Sequence, residues 1–423
     1  MSRPYSQLQR QVLKLYKDYM VALRPGSSAK IEESAKPQIR QSVRDEFRKN
    51  AINLKKTHFV KIETLVRQGR RRLDDLEAGR ISSIIKSIIH NLFPKNCGLI
   101  SAFGYGSVVV PQHGRSTNNS QLDLILIVDD PCKWHVENLR LNPKHYSGLA
   151  SLFNGVLLKQ VVTKWPHPAV FFNPLVTWHD ITNEFTPKVI KYGVVGYEQV
   201  MRDLNTWTDL YIAGRLHKPV VFVPGYEPPP KLRSSCVFNL RSALAFSLLQ
   251  LDLPLLKEDA LYHCLASISY RGDWRLYFGE DRQKIKRLVT GEPRRRSFRD
   301  LYIPLLISEP FKSMLTVDIP ADLNTDLRIY PLEKDLSATQ LLECIPSDLC
   351  QLAAGSRSAA AQCLLAKMPK NERRLRLQNA AASIVRWASY RQTVLGLFSA
   401  GLSRSFVYSY AKFRKMLASL NSR

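Results

Sequence analysis

The chain has 423 residues and a formal net charge of +26, with 62 lysines and arginines against 36 aspartates and glutamates. This length predicts two or three domains, and the hydrophobic residues, 45% of the chain, suffice for their cores. The charge favours a polyanionic partner such as nucleic acid, an anionic membrane, or nucleotides and phospholipids, although solubility or mitochondrial import would also account for it.

The cysteines and the hydropathy disfavour three kinds of protein. Seven cysteines are present, an odd number without a C-x-x-C pair, which disfavours a disulfide framework and a zinc knuckle and indicates a reducing compartment. No apolar run approaches the ~18 residues of a transmembrane helix, so any membrane contact is expected to be peripheral.

The apolar pattern of residues 1–80 predicts a separate bundle of three amphipathic helices. Apolar side chains recur at helical spacing over residues 8–23, and two more helices are expected over residues 39–51 and 59–76. The last helix is predicted to end at Gly79. The start of the chain, rich in arginine and poor in acids, is compatible with a mitochondrial presequence as well as with a folded helix.

The bundle carries the triplet Leu15-Tyr16-Lys17. With its surroundings it resembles the LYR-motif family of small three-helix mitochondrial proteins, and within that family the succinate dehydrogenase assembly factor. The resemblance extends over three stretches, residues 8–18, 43–48 and 68–73. It implies that the triplet binds a partner, the iron–sulfur subunit of succinate dehydrogenase. Lys17 replaces the arginine of the family motif and lacks its planar guanidinium, and core positions would equally explain Leu15 and Tyr16.

Beyond residue 82 the pattern changes to alternating strands and helices. After a helix over residues 84–92, five strands are expected, over residues 99–103, 122–128, 169–173, 189–195 and 220–223. Residues 82–230 are therefore predicted to form an α/β domain of mixed strand order, which ends in a proline-rich loop or hinge at residues 224–230.

The most informative motif of this domain is a glycine–serine turn followed by an acid in a strand. Gly106 permits a turn whose N–H groups point at phosphate oxygens, and Ser107 adds a hydroxyl donor. Asp123 lies in an apolar strand, where a carboxylate costs free energy unless it is paired or holds a metal. This layout predicts a nucleotidyltransferase-like site, with a triphosphate on the turn and Mg²⁺ on Asp123.

The second acid that is usual in such sites is missing. Alternation along the strand places residue 125 on the same face as Asp123, and that residue is Ile125. Asp130 is predicted to be the second magnesium ligand instead. Three other acids are alternatives, namely Asp129, Asp180 and Glu184. A glycine–serine turn with one strand acid is by itself common among α/β proteins.

Residues 82–423 resemble the mitochondrial CDP-diacylglycerol synthase (phosphatidate cytidylyltransferase) family. The resemblance rests on several stretches, chiefly residues 103–112, 128–139, 190–194, 204–207, 210–220 and 267–273. It implies transfer of CMP from CTP to phosphatidate, giving CDP-diacylglycerol and pyrophosphate for cardiolipin synthesis, on the matrix side of the mitochondrial inner membrane. It implies a catalytic charge on Lys191 and nucleotide contacts from Tyr192 and Gly193, together with Gly106 and Ser107.

Some residues of these stretches also have plain structural explanations. Lys191 would be equally well explained as a surface lysine beside a strand. Three histidines, His135, His145 and His179, are expected to be structural rather than catalytic.

Residues 231–423 are predicted to be mostly helical. Helices are expected over residues 236–251, 257–268 and 281–289, and a loop over residues 353–374. From residue 400 onward, apolar residues recur at spacings of three and four and no acid occurs. A basic amphipathic helix of this kind either packs into the core or docks peripherally on anionic lipid. Docking would use Phe406, Lys412, Phe413, Arg414 and Lys415.

The favoured function is that of a magnesium-dependent, membrane-peripheral cytidylyltransferase with an LYR-type bundle. An inactive transferase that serves as a mitochondrial assembly or interaction protein is the alternative, favoured by Ile125 and by Val108, where the family often has a second glycine. An RNA-directed nucleotidyltransferase would suit the charge, but no RNA-binding module is recognisable, so nucleic acid is not an expected partner. The joint near residue 80 leaves both a fusion and a merged gene model open.

Overall fold

The computed structural model describes most of the chain. Outside the description lie residues 1–5, 25–35, 55–57, 111–120, 149–155, 165–169, 179–188, 252–255, 276–283, 291, 321–324, 333–335 and 421–423, together with most side chains of residues 59–80, the side chains of residues 292 and 293, and all side chains from residue 400. Within the described part, no helix is long and apolar enough to cross a membrane. All seven cysteines are free thiols, as their number and spacing predict.

The N-terminal region consists of three helices, α1 (Gln7–Ala22), α2 (Lys36–Asn53) and α3 (Phe59–Leu92). Helix α1 begins with a capping box, in which Ser6 Oγ accepts the Gln9 N–H at 3.2 Å and Gln9 Oε1 accepts the Ser6 N–H at 2.9 Å. The small core of this bundle is formed by Leu15, Tyr19, Ala22, Leu23 and Leu73. The three predicted helices are therefore confirmed.

Helix α3 is one continuous helix of 34 residues, so the prediction that it ends at Gly79 is wrong. Its first part contacts α1, and its last part packs against the sheet through the buried Ile85, Ile88 and Ile89. A glycine inside a helix costs only ~1 kcal/mol relative to alanine, which packing at the two ends outweighs. The bundle is joined to the α/β core by a helix rather than by a loop.

The core of the chain is a five-stranded sheet. Its strands are β1 (Leu99–Tyr105), β2 (Leu122–Val128), β3 (Phe171–Thr177), β4 (Val189–Gly196) and β5 (Val221–Phe222). Their order is β3-β4-β2-β1-β5. Strands β2 and β4 are parallel, whereas the other neighbours are antiparallel. The mixed strand order confirms the α/β prediction.

Helices surround this sheet and fill the second half of the chain. They are α4 (Pro131–Leu141), α5 (Val156–Lys164), α6 (Tyr197–Thr206), α7 (Ile212–Leu216), α8 (Pro230–Gln250), α9 (Glu258–Ser267), α10 (Lys284–Val289), α11 (Glu292–Leu306), α12 (Ala338–Glu343), α13 (Ser347–Ala354), α14 (Ala361–Lys367) and α15 (Lys370–Leu420). The loop predicted over residues 353–374 is wrong, because α14 lies within it. Buried Ala361 and Leu365 hold that helix in the core.

The second half also contains a small sheet that the sequence did not predict. Its strands are β6 (Leu256–Lys257), β7 (Leu315–Asp318) and β8 (Arg328–Pro331), in the order β6-β8-β7. Strands of two to four residues are too short to show an alternating hydrophobic pattern, so this region was expected to be helical throughout.

The five-stranded sheet is buried on both faces. One face, which includes Phe103 and Ile125, shares a single large hydrophobic core with the helices of the second half. The opposite face, which includes Leu124 and Tyr192, packs against α3 and Trp134. Because side chains alternate along a strand, adjacent residues of one motif belong to different cores. The polar side chains described next lie on the first face.

Candidate active site

The glycine–serine turn and the strand acid lie against each other. Strand β1 ends at Tyr105, and Gly106 follows with φ +89°, a left-handed conformation that glycine adopts without strain. A Cβ atom at Gly106 would lie 3.3 Å from Asp123 Oδ2. Gly106 therefore lets the backbone pass directly beside the Asp123 carboxylate, and the structure brings together the two residues that the sequence singled out.

The turn that follows Gly106 is anchored in the core. The Val110 N–H donates to the Gly106 carbonyl at 3.0 Å, and Val108, Val109 and Val110 are all buried. Val108, which replaces a glycine common in the family, thus contributes to the packing of the turn. Ser107 is the partly exposed residue of the turn and lies next to Gly106.

Lys191 lies beside Asp123 on the same face of the sheet. The strand register pairs Tyr105 with Asp123 and Asp123 with Lys191, so the three side chains form one row across β1, β2 and β4. The Nζ atom of Lys191 lies 4.4 Å from the centre of the Phe172 ring, within the range of a cation–π contact. Lys191 is therefore half-buried beside the acid and is not merely a surface lysine.

Gly193 serves the packing of Phe172. A Cβ atom at Gly193 would lie 2.5 Å from a carbon of the Phe172 ring, and the two residues are paired across β3 and β4. The prediction that Gly193 contacts the nucleotide gains no support from this arrangement, because the space above it is occupied by the ring. Gly193 instead places the ring on which Lys191 rests.

Arg215 is a further functional candidate, which the sequence analysis did not single out. Its guanidinium carbon lies 4.6 Å from the centre of the Tyr105 ring and 4.7 Å from that of the Tyr211 ring, and Nη2 donates to the Tyr211 hydroxyl at 3.0 Å. It also lies 5.8 Å from the Phe172 ring. One arginine in a short helix is not a motif, and its only sequence signal was its place within the stretch 210–220 of the family resemblance.

The helix that carries Arg215 is fixed by a buried carboxylate. Asp203 accepts five backbone N–H groups, those of residues 209–213, at 2.8–3.1 Å. These bonds satisfy the free donors at the N-terminus of α7 and of the turn before it. Arg215 therefore projects from a rigid segment, as a site residue requires.

Electrostatics on this face favour an anionic ligand. Burial would raise the pKa of Tyr211, but the positive charges of Arg215, Arg275 and Lys191 outweigh it, and the pKa lies below its ordinary value. For Tyr105, burial dominates and raises the pKa well above the ordinary value, with Arg215 acting against it and Asp123 adding to it. The tyrosines thus stand in a field in which cations outweigh the one acid.

The predicted second metal ligand, Asp130, does not lie near Asp123. It stands at the N-terminus of α4, where its carboxylate accepts the N–H groups of Cys132 at 2.8 Å and Lys133 at 3.1 Å. Seven positions along an extended strand correspond to roughly 20 Å. Asp130 is therefore a helix cap, and the structure corrects its assignment to the metal site.

Residue 125, where the second acid usually stands, lies in the hydrophobic core. Ile125 is fully buried and is part of the large cluster beneath the helices, so a carboxylate there would be desolvated. Asp129 is exposed at the far end of β2, and Asp180 and Glu184 lie outside the described residues. In the described part of the chain, no group of three or more His, Cys, Asp or Glu side chains could hold a metal.

Tyr192 belongs to a polar network on the other face of the sheet. Its hydroxyl accepts Nδ2–H groups of Asn138 and Asn173, each at 2.8 Å, and hydrogen bonds Nδ1 of His145 at 2.9 Å. Tyr192 is fully buried. It cannot contact a nucleotide on the first face, which corrects the prediction.

The histidines fit the structural explanation where the structure describes them. His135 is fully buried, its Nδ1 lies 2.9 Å from the Tyr146 hydroxyl, and burial lowers its pKa to about 3. An imidazole that stays neutral in the core is not a proton-transfer group at neutral pH. His145 is buried in the network of Tyr192, and His179 lies outside the described residues.

The predicted binding residues at the two ends of the chain are described in part. Leu15 is a core residue of the bundle, Tyr16 packs against Phe47 at 5.2 Å between ring centres, and Lys17 is exposed. At the other end, α15 runs to Leu420. The side chains of the five predicted lipid-binding residues, Phe406, Lys412, Phe413, Arg414 and Lys415, lie outside the description.

Both parts of the chain match known protein families. Residues 85–415 match the family described as "Phosphatidate cytidylyltransferase, mitochondrial". Residues 10–75 match the LYR family, described as "Complex 1 protein".

Curated relatives of the same name occur in several organisms. The protein of Mus musculus named mitochondrial phosphatidate cytidylyltransferase is 35% identical over 335 residues, which cover 77% of this chain and 92% of the relative. Those of Danio rerio and Schizosaccharomyces pombe are each 34% identical, over 351 and 331 residues. These alignments cover 81% and 75% of this chain, and 97% and 80% of the relatives.

Proposed function

The chain belongs to the mitochondrial phosphatidate cytidylyltransferase family, and we propose that it transfers CMP from CTP to phosphatidate, giving CDP-diacylglycerol and pyrophosphate. The observation that carries the proposal is the contact of the Gly106 turn with Asp123, in a row that continues to Lys191. A backbone turn suited to phosphate, one carboxylate and a neighbouring cation are the parts that nucleotidyl transfer needs.

The reaction is a substitution at phosphorus. A phosphate oxygen of phosphatidate forms a new bond to the α-phosphorus of CTP, and the bond between that phosphorus and the bridging oxygen breaks. Pyrophosphate leaves with the electron pair. A phosphomonoester is already ionised near neutral pH, so the enzyme does not need a base to remove a proton. The chain contributes positioning and positive charge rather than covalent chemistry.

Two phosphate-bearing substrates require two anion sites, and the geometry suggests how they divide. The turn at Gly106 and Ser107 presents N–H and hydroxyl donors to the triphosphate. Arg215, held between two tyrosine rings and 5.8 Å from the Phe172 ring, is placed to receive the phosphate of phosphatidate. Lys191 is paired with Asp123 across β2 and β4 and would offset the charge that develops as pyrophosphate leaves.

Asp123 would hold Mg²⁺. The donor set fits this ion, because Mg²⁺ in enzymes is bound through one or two carboxylates and completes its shell with substrate phosphates and water. When bound, it neutralises charge on the triphosphate. Since Ile125 is buried, the remaining oxygens would come from CTP and water rather than from the usual second strand acid.

The C-terminal helix is proposed to bring the enzyme to its lipid substrate. From residue 400 onward, apolar residues recur at spacings of three and four among basic residues and no acid occurs, and α15 continues through them as one helix. A helix of this composition docks peripherally on anionic lipid, which here would be the matrix side of the mitochondrial inner membrane. Deletion of residues 400–423 should release the protein from anionic vesicles, and unchanged sedimentation would contradict the proposal.

For the bundle we propose an interaction with the iron–sulfur subunit of succinate dehydrogenase. Lys17 is exposed and Tyr16 partly so, whereas Leu15 is buried, so the contact would use Tyr16 and Lys17. Binding of that subunit to the chain should weaken at least severalfold on Lys17→Glu. Equal binding by wild type and variant in a titration would remove the support for this partner.

The alternative, an inactive transferase region, is favoured by the buried Ile125. One assay decides between them. Purified chain is incubated with CTP, phosphatidate vesicles and Mg²⁺, and CDP-diacylglycerol is measured by chromatography. We expect product that depends on CTP and phosphatidate. Lack of product from folded, vesicle-bound protein would favour the assembly or interaction role, and label incorporated into RNA would favour the RNA-directed activity.

A further inference from the structure

A buried arginine of the second half of the chain contacts the phosphate turn. Arg294, near the start of α11, is only 5% exposed. Its Nη2 donates to the carbonyl of Val110 at 3.0 Å, and its Nη1 donates to the carbonyl of Leu288 at 3.2 Å. Val110 is the residue whose N–H closes the turn onto Gly106. A side chain from a distant part of the sequence therefore holds the far end of the turn whose first residue, Gly106, lies beside Asp123.

Arg294 is an unusual buried charge because only neutral groups are seen to contact it. Among the residues that the structure describes, it forms hydrogen bonds to two carbonyl groups and no ion pair, and its buried Nε lacks a partner. The segment 111–120, which follows the turn and lies outside the description, contains no acid, whereas Glu280, Asp281 and the side chain of Glu292 also lie outside it. A buried charge that contacts only neutral groups is costly, so its contacts to the turn, as far as the described residues show them, call for a reason beyond packing.

The same helix provides the contrasting case. Arg299 is buried to a similar extent, but it forms a bidentate pair with Glu258. Its Nε donates to Oε1 of Glu258 and its Nη2 donates to Oε2, each at 2.6 Å. Glu258 also accepts the N–H of Leu327. Arg299 is thus neutralised within the second half of the chain and does not contact the turn, so its role is structural.

The turn is held from both sides. On one side, Val109 packs against Gly104, where a Cβ atom would lie 2.9 Å from Val109 Cγ2. On the other side is the guanidinium of Arg294. Burial lowers the pKa of Arg294 to about 10, with Tyr270 acting against the shift, so the side chain remains a cation at neutral pH.

We propose that Arg294 is a positioning residue for the triphosphate: it fixes the turn of residues 106–110 beside Asp123 and adds a buried positive charge that the bound triphosphate balances. This inference rests on the proposed function, because it takes the turn to be the triphosphate site. It also means that α11 of the second half completes the nucleotide site of the sheet. The charge of Arg294 acts through the turn and does not take part in bond making.

The test compares Arg294→Met with Arg299→Met, a matched change on the same helix. For each variant, the KM for CTP and the KM for phosphatidate are measured, and the rise in thermal unfolding temperature caused by CTP with Mg²⁺ is recorded. Arg294→Met should raise the KM for CTP roughly tenfold, as the loss of one charge-assisted interaction implies. It should also reduce the stabilisation by CTP and leave the KM for phosphatidate within about twofold.

Arg299→Met should instead lower the unfolding temperature while leaving the KM for CTP unchanged. Arg294→Lys, which keeps the charge and one donor, should recover most of the CTP affinity and serves as the test if the methionine variant does not fold. The inference is overturned if folded Arg294 variants bind CTP as the wild type does, or if Arg299→Met raises the KM for CTP equally. A wild type without product would instead contradict the proposed function itself.

Discussion

The two faces of strand β4 show how one short motif serves two purposes. Lys191 points to the face that carries Asp123 and Arg215, where charged side chains surround the space beside a phosphate-type turn. Its neighbour Tyr192 points to the opposite face, where its hydroxyl is hydrogen bonded to Asn138 and other buried, uncharged groups. Both residues come from the stretch 190–194 that resembles the family.

The difference between the faces is one of charge and of solvent. The network around Tyr192 is buried and joins a tyrosine hydroxyl to asparagine amides and a histidine ring, so its hydrogen bonds contribute to stability. The face of Lys191 concentrates cations next to a carboxylate, which stabilises a ligand rather than the fold. Family resemblance alone does not separate these roles, whereas alternation along the strand does.

The largest effect is expected from removing the acid near each end of β2, one in the proposed site and one at a helix cap. Asp123→Ala should abolish CDP-diacylglycerol synthesis, with a loss of roughly 10³-fold or more, because it removes the proposed metal ligand. Asp130→Ala should retain activity and lose only about 1 kcal/mol of stability, since it removes a helix cap. Initial rates and urea unfolding curves check both. Comparable activity losses in the two variants would contradict the assignment of Asp123 to the metal and of Asp130 to the helix cap.

Substitutions at the two adjacent residues of β4 should separate activity from stability. Lys191→Met should lower kcat about 100-fold with a small change in unfolding free energy, because it removes a positive charge that stabilises the transition state. Tyr192→Phe should lower stability by about 1–3 kcal/mol, because buried partners lose the hydroxyl, and leave kcat near that of the wild type. A Tyr192→Phe variant that is stable but inactive would show that the comparison is wrong.

Arg215 tests whether the first face distinguishes its two substrates. Arg215→Lys keeps the charge but loses the planar group that contacts the rings of Tyr105 and Tyr211. Its kcat/KM for phosphatidate should fall roughly tenfold, with a smaller effect on the KM for CTP. The measurement is a two-substrate kinetic series. A selective loss of CTP binding would assign Arg215 to the nucleotide instead.

A buried acid behind the site predicts a pH effect on stability alone. Burial, reinforced by the charge of Asp203, raises the pKa of Asp209 from 3.8 to about 7, against the opposing charges of Arg391 and Arg202. The folded protein holds this proton more tightly than the unfolded chain does. The contribution of Asp209 to the free energy of unfolding is therefore fully present below about pH 4 and is lost as the pH rises towards 7.

Asp209→Asn should remove that fall. The variant should exceed the wild type in unfolding free energy by about 1–3 kcal/mol at pH 8 and differ less at pH 5. Guanidinium unfolding curves of both proteins at the two pH values measure this difference in unfolding free energy. A difference that does not change between pH 5 and pH 8 would show that the titration of Asp209 is not responsible.

The sequence singled out Gly106 and Asp123, which the structure places side by side, but not the residues that surround them. Gly106 and Asp123 were found because a glycine-dependent turn and a carboxylate in an apolar strand each conflict with ordinary packing. Ile125 was noted as a departure, and its burial explains it. Arg215 and Arg294 were missed, because they reach the site from α7 and α11 through tertiary packing that no local spacing reveals.

The errors in the fold have the same origin. Gly79 is a reasonable end for a helix by local preference, yet α3 continues because its two halves are packed in different cores. Strand β6, at residues 256–257, is too short to carry a pattern. Tyr192 was assigned to the nucleotide because a family motif was taken as one unit, although the pleat of the strand puts Tyr192 on the opposite face from Lys191.

The most direct test of the central claim follows the phosphorus atoms of CTP. The full chain is given phosphatidate vesicles and Mg²⁺ with CTP labelled in either the α- or the γ-phosphate, and lipid and aqueous products are separated. The account predicts that the α label enters a lipid as CDP-diacylglycerol, that the γ label appears only in pyrophosphate, and that Asp123→Ala yields neither. Label that stays in CTP with folded, vesicle-bound wild type, or γ label in the lipid, would contradict it.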